Sequence, residues 1–199
     1  MKQKEIQVGR NHIQNGELLW YPAFFTHEEC ERYLVALLNG IHWQQELMKM
    51  YGKIVQFPRL TAWYADTGVT YSYSGLTHQP ERWTEELLQI KKRIEVVSGA
   101  QFNSVLLNRY RGGADSMSWH TDDELELGQN PIIASVNFGA TRMFQLRHNS
   151  TKERINIELT HGSVLVMAGE LQHYWKHQVP KTKKDVGERV NLTFRKVLG

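Results

Sequence analysis

From residue 103 onward the chain reads as a succession of short strands with nothing helical between them, and few folds accept that pattern. Segments 105–110, 132–138, 142–148, 155–159, 164–167, 174–179 and 189–197 alternate or are rich in β-branched and aromatic residues, with turn residues between them. Strands this short and close, without crossover helices, predict a sandwich, barrel or jelly roll. The first half adds two helices. Thr26 and Glu29 have capping-box spacing, and Cys30, Tyr33, Leu34, Leu37 and Leu38 then recur on one helical face up to Asn39-Gly40. A second helix starts between Pro80 and Thr84, carries Leu87, Leu88, Ile94 and Val97, and stops at Gly99. Between them, 43–48 and 54–64 read as strands joined through Tyr51-Gly52-Lys53. Helices first and strands afterwards make the chain α+β, with two N-terminal helices packed on the sheet.

The 199 residues suit one domain with a substantial core, and 41% hydrophobic with 23% charged residues excludes a largely disordered chain. No stretch approaches the roughly 18 apolar residues that cross a bilayer, and the first residues lack the apolar core of a signal peptide. The expected location is cytoplasmic, without membrane contact, and the expected state is a monomer. Cys30 is the sole cysteine. An intrachain disulfide and a Cys-x-x-Cys zinc site are both ruled out, and zinc fingers and zinc deaminases with them. The place of Cys30 on an apolar helical face predicts a small buried side chain. A net charge of +3 permits nucleic acid as a partner without requiring it. Seven basic and two acidic residues fall between Lys176 and Lys196, the run Lys181-Thr182-Lys183-Lys184 reading as a solvated loop.

His120-Thr121-Asp122 is the first sign of chemistry. In extended backbone, residues two apart share a side, so an imidazole and a carboxylate can reach one metal from a single strand end. With nine His and five Asp in the chain, chance alone gives a His-x-Asp in about one of every four or five such chains. A third ligand changes the balance. His173 and His177 share a strand face later in the chain, with His161 a weaker candidate at a turn. Two histidines and one carboxylate leave coordination positions open, the arrangement suited to Fe(II) oxygenases, whereas structural zinc takes four closed ligands.

Residues 189–195 carry a second pattern. Arg189, Asn191, Thr193 and Arg195 occupy one face, and Val190, Leu192 and Phe194 the other. A jelly-roll strand often has both faces covered, and two arginines turned inward cost several kcal/mol unless anions pair them. A small dicarboxylate supplies one carboxylate per guanidinium. Asn108 and Tyr110, also two apart, can add hydrogen bonds. The sequence has no phosphate loop, no His-Glu-x-x-His helix and no Gly-x-Ser-x-Gly elbow.

Taken together these residues resemble the AlkB-type nucleic-acid demethylases, from about Arg59 onward. The resemblance is carried by Thr70-Tyr71-Ser72-Tyr73-Ser74-Gly75, Asn108-Arg109-Tyr110, His120-Thr121-Asp122-Asp123-Glu124, Ser135-Val136-Asn137-Phe138-Gly139 and Arg189-Val190-Asn191-Leu192-Thr193-Phe194-Arg195. It implies a double-stranded β-helix (jelly-roll) core and one Fe(II)/2-oxoglutarate dioxygenase domain over 1–199. Residues 1–100 would hold the helices and nucleotide-recognition hairpins, and 101–199 the catalytic core. It implies iron on His120, Asp122 and His177, its spacing to Arg189 favouring His177 over His173. It implies 2-oxoglutarate on Asn108, Tyr110, Arg189, Asn191, Thr193 and Arg195. Tyr71, Tyr73 and Ser74 would wall the pocket for a flipped base, with Asp123 and Glu124 facing that base.

The implied reaction is oxidative demethylation of N-alkylated bases (N1-methyladenine and N3-methylcytosine type) in DNA. It consumes O2 and 2-oxoglutarate and releases formaldehyde. Such bases are cationic, and aromatic faces and carboxylates attract them. Their blocked pairing edge makes them cheap to extrude. Tyr51, in the tip Met50-Tyr51-Gly52-Lys53, resembles a wedge that fills the gap in a duplex. Arg59 is placed beside the flip, and 147–154 resembles a shortened clamp for the second strand. The alternatives are a dioxygenase of the same fold acting on RNA, protein or lipid, and a noncatalytic nucleic-acid-binding module.

Overall fold

The computed structural model describes residues 4–50, 52–69, 71–73, 76–78 and 80–198. In chain order the elements are β1 Gly9–Ile13, β2 Gly16–Tyr21, α1 His27–Gly40, β3 Leu47–Met50, β4 Lys53–Gln56 and β5 Leu60–Ala65. Next come β6 Tyr71–Tyr73, β7 Leu76–His78, α2 Glu85–Ser98, β8 Ser104–Tyr110 and β9 Met117–His120. The remainder are β10 Ile133–Gly139, β11 Arg142–His148, β12 Arg154–Leu159, β13 Ser163–Ala168, α3 Leu171–Tyr174, β14 Trp175–Val179 and β15 Arg189–Arg195.

Two antiparallel sheets face each other as a jelly roll. The larger runs β1-β2-β13-β10-β15-β8-β5 and the smaller β12-β11-β14-β9. Strand alternation sorts the side chains into two cores. Val105, Leu107, Val136, Phe138, Val190, Leu192 and Phe194 point away from the smaller sheet, onto Tyr33 and Leu37 of α1 and Ile90 and Ile94 of α2. Between the sheets lie Ile133, Phe144, Leu146, Ile157, Leu165 and Trp175. All seven residues of β15 are buried because neighbours flank it on both sides and both its faces are covered.

The helix ends follow their sequence signals. Thr26 Oγ1 accepts from Glu29 N at 3.3 Å and Glu29 Oε2 accepts from Thr26 N at 2.9 Å. Arg93 of α2 donates to Glu29 Oε1 at 2.6 Å and lies over Phe25, tying the two helices. Its guanidinium holds the Glu29 carboxyl below the usual range. Thr84 caps α2, and Gly99 (φ 68) ends it in the left-handed conformation that costs glycine least. Cys30 is buried, its thiol directed at Phe25 O.

Several expectations are corrected. Strands β1 and β2 precede α1 and join the larger sheet, so the chain is not helices first, and its two halves share one sheet. A third helix, the single turn α3, stands among the strands expected to be free of helix, and a 3-10 turn covers Leu125–Leu127. The strand expected over 54–64 is two, β4 and β5, divided at Pro58, which has no N–H for a ladder. That expected over 43–48 is displaced to β3. The strand end expected at His120 belongs to β9, a four-residue segment bearing two polar side chains, and it stops short of Asp122.

Candidate metal centre and anion pocket

Strands β9 and β14 pair so that His120 stands directly opposite His177, with ring centroids 4.1 Å apart. Asp122 follows two residues beyond the end of β9. One ligand atom from each of the three lies within 4.8 Å of the others. Asp122 and His177 are each 3% exposed, so the cluster is walled on all sides but that of His120.

Hydrogen bonding sets the imidazoles. His120 Nδ1 lies 2.8 Å from Ser118 O; a carbonyl only accepts, so Nδ1 carries the proton and Nε2 keeps its lone pair. Burial, and then His120, push the pKa of His177 down to about 3, which leaves that ring neutral as a ligand must be. Burial alone raises the Asp122 carboxyl, but Arg195, then His177 and His120, outweigh it and hold the group below its ordinary value. Arg195 Nη2 donates to Asp122 Oδ1 at 2.6 Å, and Asp122 Oδ2 faces His177 Nε2 at 3.8 Å.

A second cluster, His27, Glu31 and His161, has similar spacing and the opposite chemistry. His161 Nδ1 accepts from Gly139 N at 2.8 Å, so its proton sits on Nε2, which donates to Glu31 Oε1 at 3.2 Å. His161 keeps no free lone pair for a metal, and it ties α1 to the turn after β12. His173 lies on α3, exposed and 3.0 Å from Asn130 Oδ1, apart from the triad.

The second half of the site comes from β8 and β15. Their register sets Tyr110 beside Arg189 and Asn108 beside Asn191. One cavity is lined by the triad together with Asn108, Tyr110, Arg189, Asn191, Thr193 and Arg195. Arg189 is 1% exposed, stacked at 4.8 Å over the Tyr110 ring, with Nη2 donating to Asn137 Oδ1. Its Nε and Nη1 are buried with no hydrogen-bond partner among the described residues. Burial lowers its pKa, yet a guanidinium stays charged under all ordinary conditions. A buried cation with two idle donors fits a carboxylate. The two facing imidazoles, the aspartate and the idle guanidinium therefore fit a divalent metal beside a small organic anion.

The other polar residues divide their duties. Asn191 Nδ2 donates to Ser135 Oγ at 2.9 Å, and its Oδ1 accepts from Thr193 Oγ1 at 3.1 Å. Asn191 therefore braces the cavity wall more than it offers hydrogen bonds to a ligand. Ser135 and Asn137, quoted in the sequence pattern but given no role there, form the floor behind Arg189. Their polar-apolar alternation along β10 was the available signal. Leu106, Met117, Phe144, Leu159, Met167 and Val179 supply an apolar lining that sequence reading did not single out.

Toward the expected substrate side, Asp123 is exposed and Glu124 half-buried, with Oε2 buried and without a hydrogen-bond partner among the described residues. Arg59 is not at the surface. It is 2% exposed over the Phe57 ring, donating from Nε to Asn108 Oδ1 at 2.6 Å and from Nη1 to Ser116 O at 3.4 Å. Expected as a substrate contact, it sits behind Asn108 because its guanidinium finds acceptors there. Tyr51 and Ser74 lie outside the described residues, as do the side chains of Tyr71 and Tyr73, whose backbone forms β6 paired with β7. Arg147 lies 4.7 Å from the Trp119 ring on the outer face of the smaller sheet.

A family model for the 2OG-Fe(II) oxygenase superfamily matches residues 17–195. Alpha-ketoglutarate-dependent dioxygenase alkB homolog 3 of Homo sapiens is 42% identical, over 89% of this chain and 65% of that protein. DNA oxidative demethylase ALKBH2 of Homo sapiens is 42% identical over 76% of this chain and 61% of its own length. The protein of that name from Arabidopsis thaliana is 34% identical over 98% and 69%. The chain thus spans a little under two thirds of the human relatives it matches. The solved structure of OsALKBH1 superposes with a TM-score of 0.66, covering 94% of this chain and all of that one, at 18% identity.

Proposed function

We propose, from the premise that the chain belongs to the 2OG-Fe(II) oxygenase superfamily, that it removes alkyl groups oxidatively from N1-methyladenine and N3-methylcytosine type lesions in DNA. The observation that carries the reading is the single cavity in which the His120-Asp122-His177 triad faces the idle donors of Arg189. The name of one relative at 42% identity, a DNA oxidative demethylase, supports the reaction and the choice of DNA, and that of the other supports the use of 2-oxoglutarate.

His120 Nε2, an Asp122 oxygen and His177 would hold Fe(II). Asn108, Tyr110, Thr193 and Arg195 would join Arg189 around 2-oxoglutarate, Arg189 taking the carboxylate farther from the metal. Iron with 2-oxoglutarate and O2 supplies the oxidation of the N-methyl carbon, after which formaldehyde leaves and the base is restored. The chain's own work is placement. Arg195 fixes Asp122, the cavity wall excludes bulk water, and Arg189 neutralises the cosubstrate. Asp123 and Glu124 draw in a base that is positively charged only when methylated. The buried idle oxygen of Glu124 suits a cation, and Tyr71 and Tyr73 would offer aromatic faces to the same charge. Tyr51 would occupy the place of the flipped base. The chain would act as a monomer, as one catalytic unit over 1–199, in the cytoplasm. Among the described residues no helix is long and apolar enough to cross a membrane.

The test combines the protein with Fe(II), ascorbate, 2-oxoglutarate and an oligonucleotide bearing one N1-methyladenine or N3-methylcytosine, as DNA and as RNA. Oligonucleotide mass and formaldehyde are followed. Loss of the methyl group, abolished in His120→Ala and Arg189→Ala, is the expected result. Turnover of 2-oxoglutarate with every methyl group retained would assign a different substrate, and bound iron without turnover would leave a binding module.

A further inference from the structure

We propose that Gln172 is a positioning residue that aims Asp122 at the metal by holding its backbone. The inference rests on reading His120, Asp122 and His177 as ligands. His120 and His177 sit in a paired ladder, but Asp122 lies past its end, in a segment with no strand partner. Its carboxylate is gripped by Arg195. Its N–H, in a residue 3% exposed, would be a buried orphan without another anchor. That anchor is Gln172 Oε1, which accepts from Asp122 N at 3.0 Å.

The amide has one possible orientation. The Asp122 N–H only donates, so Oε1 must face it, and Nε2 turns to the Met167 sulfur at 3.9 Å. Both ends of a side chain 1% exposed are therefore occupied. Its base is equally fixed. Gln172 belongs to α3, whose Leu171 is fully buried and packs so closely on Gly16 that a Cβ there would stand 3.1 Å from the Leu171 Cβ. Directly after α3, the Trp175 indole donates to Gln14 O at 2.8 Å. The turn between β1 and β2 thus locks α3, α3 locks Gln172, and Gln172 locks Asp122. A ligand held at both backbone and carboxylate loses little freedom when the ion binds, and groups that orient ligands typically carry about 10- to 100-fold of metal affinity.

Gln172→Met conserves volume and removes the acceptor; Gln172→Glu keeps an acceptor in the same place. Mn(II) is titrated calorimetrically into each metal-free protein, and amide exchange at Asp122 is followed in the metal-free wild type. We expect Q172M to bind Mn(II) about tenfold more weakly or worse, Q172E to stay near wild type, and the Asp122 amide to exchange slowly before metal is added. Wild-type affinity in Q172M, an equal loss in Q172E, or rapid exchange at Asp122 would each overturn the proposal. Should Q172M not fold, Q172E and the exchange measurement still decide. A wild type that binds no Mn(II) would instead remove the metal reading of the triad, while slow exchange would still show the Asp122 backbone held.

Discussion

Replacing Arg189 with Met should leave the ligand-free protein as stable as before, or more so, while destroying its response to 2-oxoglutarate. The guanidinium is 1% exposed and two of its nitrogens lack partners, so its desolvation, several kcal/mol for a buried ion, is incompletely offset. The substitution removes the charge-assisted hydrogen bond to Asn137 Oδ1, worth about 1.5–3 kcal/mol, and the Tyr110 contact, through ring and hydroxyl, worth about 0.5–2 kcal/mol. Asn137 is not stranded, because its Oδ1 also accepts from Asn191 Nδ2 at 3.2 Å. The balance lies between no change and roughly 2 kcal/mol of stabilisation, and each kcal/mol moves Tm by about 2–4 °C at this size.

The liganded state behaves oppositely. Losing the partner of a buried carboxylate costs about 3–5 kcal/mol, or roughly two to three and a half orders of magnitude in affinity. Melts with Mn(II), under argon, with and without 2-oxoglutarate read both effects. At a hundred times its dissociation constant a ligand adds about 2.7 kcal/mol, so the wild type should gain roughly 5–10 °C and R189M almost nothing. An R189M protein that loses more than about 2 kcal/mol without ligand, or keeps the ligand-dependent gain, would refute the idle-cation reasoning.

Other perturbations test the surroundings of the site. Arg59→Ala frees the Asn108 amide and should raise the KM for 2-oxoglutarate about ten- to hundredfold, from the roughly 1.5–3 kcal/mol of a charged hydrogen bond, with a smaller effect on kcat; a change confined to DNA binding would return Arg59 to the substrate. In the metal-free protein His177 titrates near 3 when folded against 6.5 as its ordinary value, so the unfolded chain takes up that proton first. Stability should therefore fall as pH drops below about 6.5, by several kcal/mol toward pH 3, the depressed Asp122 carboxyl adding to the loss at the acid end. Urea midpoints measured from pH 7.5 to 4.5 check this, and a flat profile contradicts it. Gly139→Ala places a Cβ against the Glu188 carbonyl at φ 88, where neither backbone can yield, and should cost more than about 2 kcal/mol in urea melts; a loss below 1 kcal/mol means the turn relaxes.

What could be read beforehand followed from period and side-chain type. The two-residue repeat along β15 exposed its polar face, and Thr26, Glu29, Thr84 and Gly99 marked helix ends by local chemistry alone. Local pattern failed where structure is too short to show a period. The single turn α3 is four residues long, and it separates His173 from the strand that carries His177. With that turn invisible, the two histidines shared a face, and only the family resemblance distinguished them. The burial of Arg59 was hidden for another reason. A lone arginine has no pattern, and the acceptors that draw it inward, Asn108 and Ser116, are 49 and 57 residues away in sequence. Gln172 gave no signal at all, since its two partners, Asp122 and Met167, come from separate segments.

The position of β15 also bears on how the molecule assembles. Without it the larger sheet falls into two pieces, β1-β2-β13-β10 and β8-β5, each with an open edge. Both edges must wait for a strand that follows β10 by fifty residues and β8 by seventy-nine, the kind of distant pairing that forms slowly and leaves edges open to self-association. The inserting strand must also arrive in one register, because a shift of one residue would drive Arg189 and Arg195 into the helix-packed core and turn Leu192 and Phe194 toward the metal. Proofreading of the fold and completion of the cosubstrate pocket are therefore a single event.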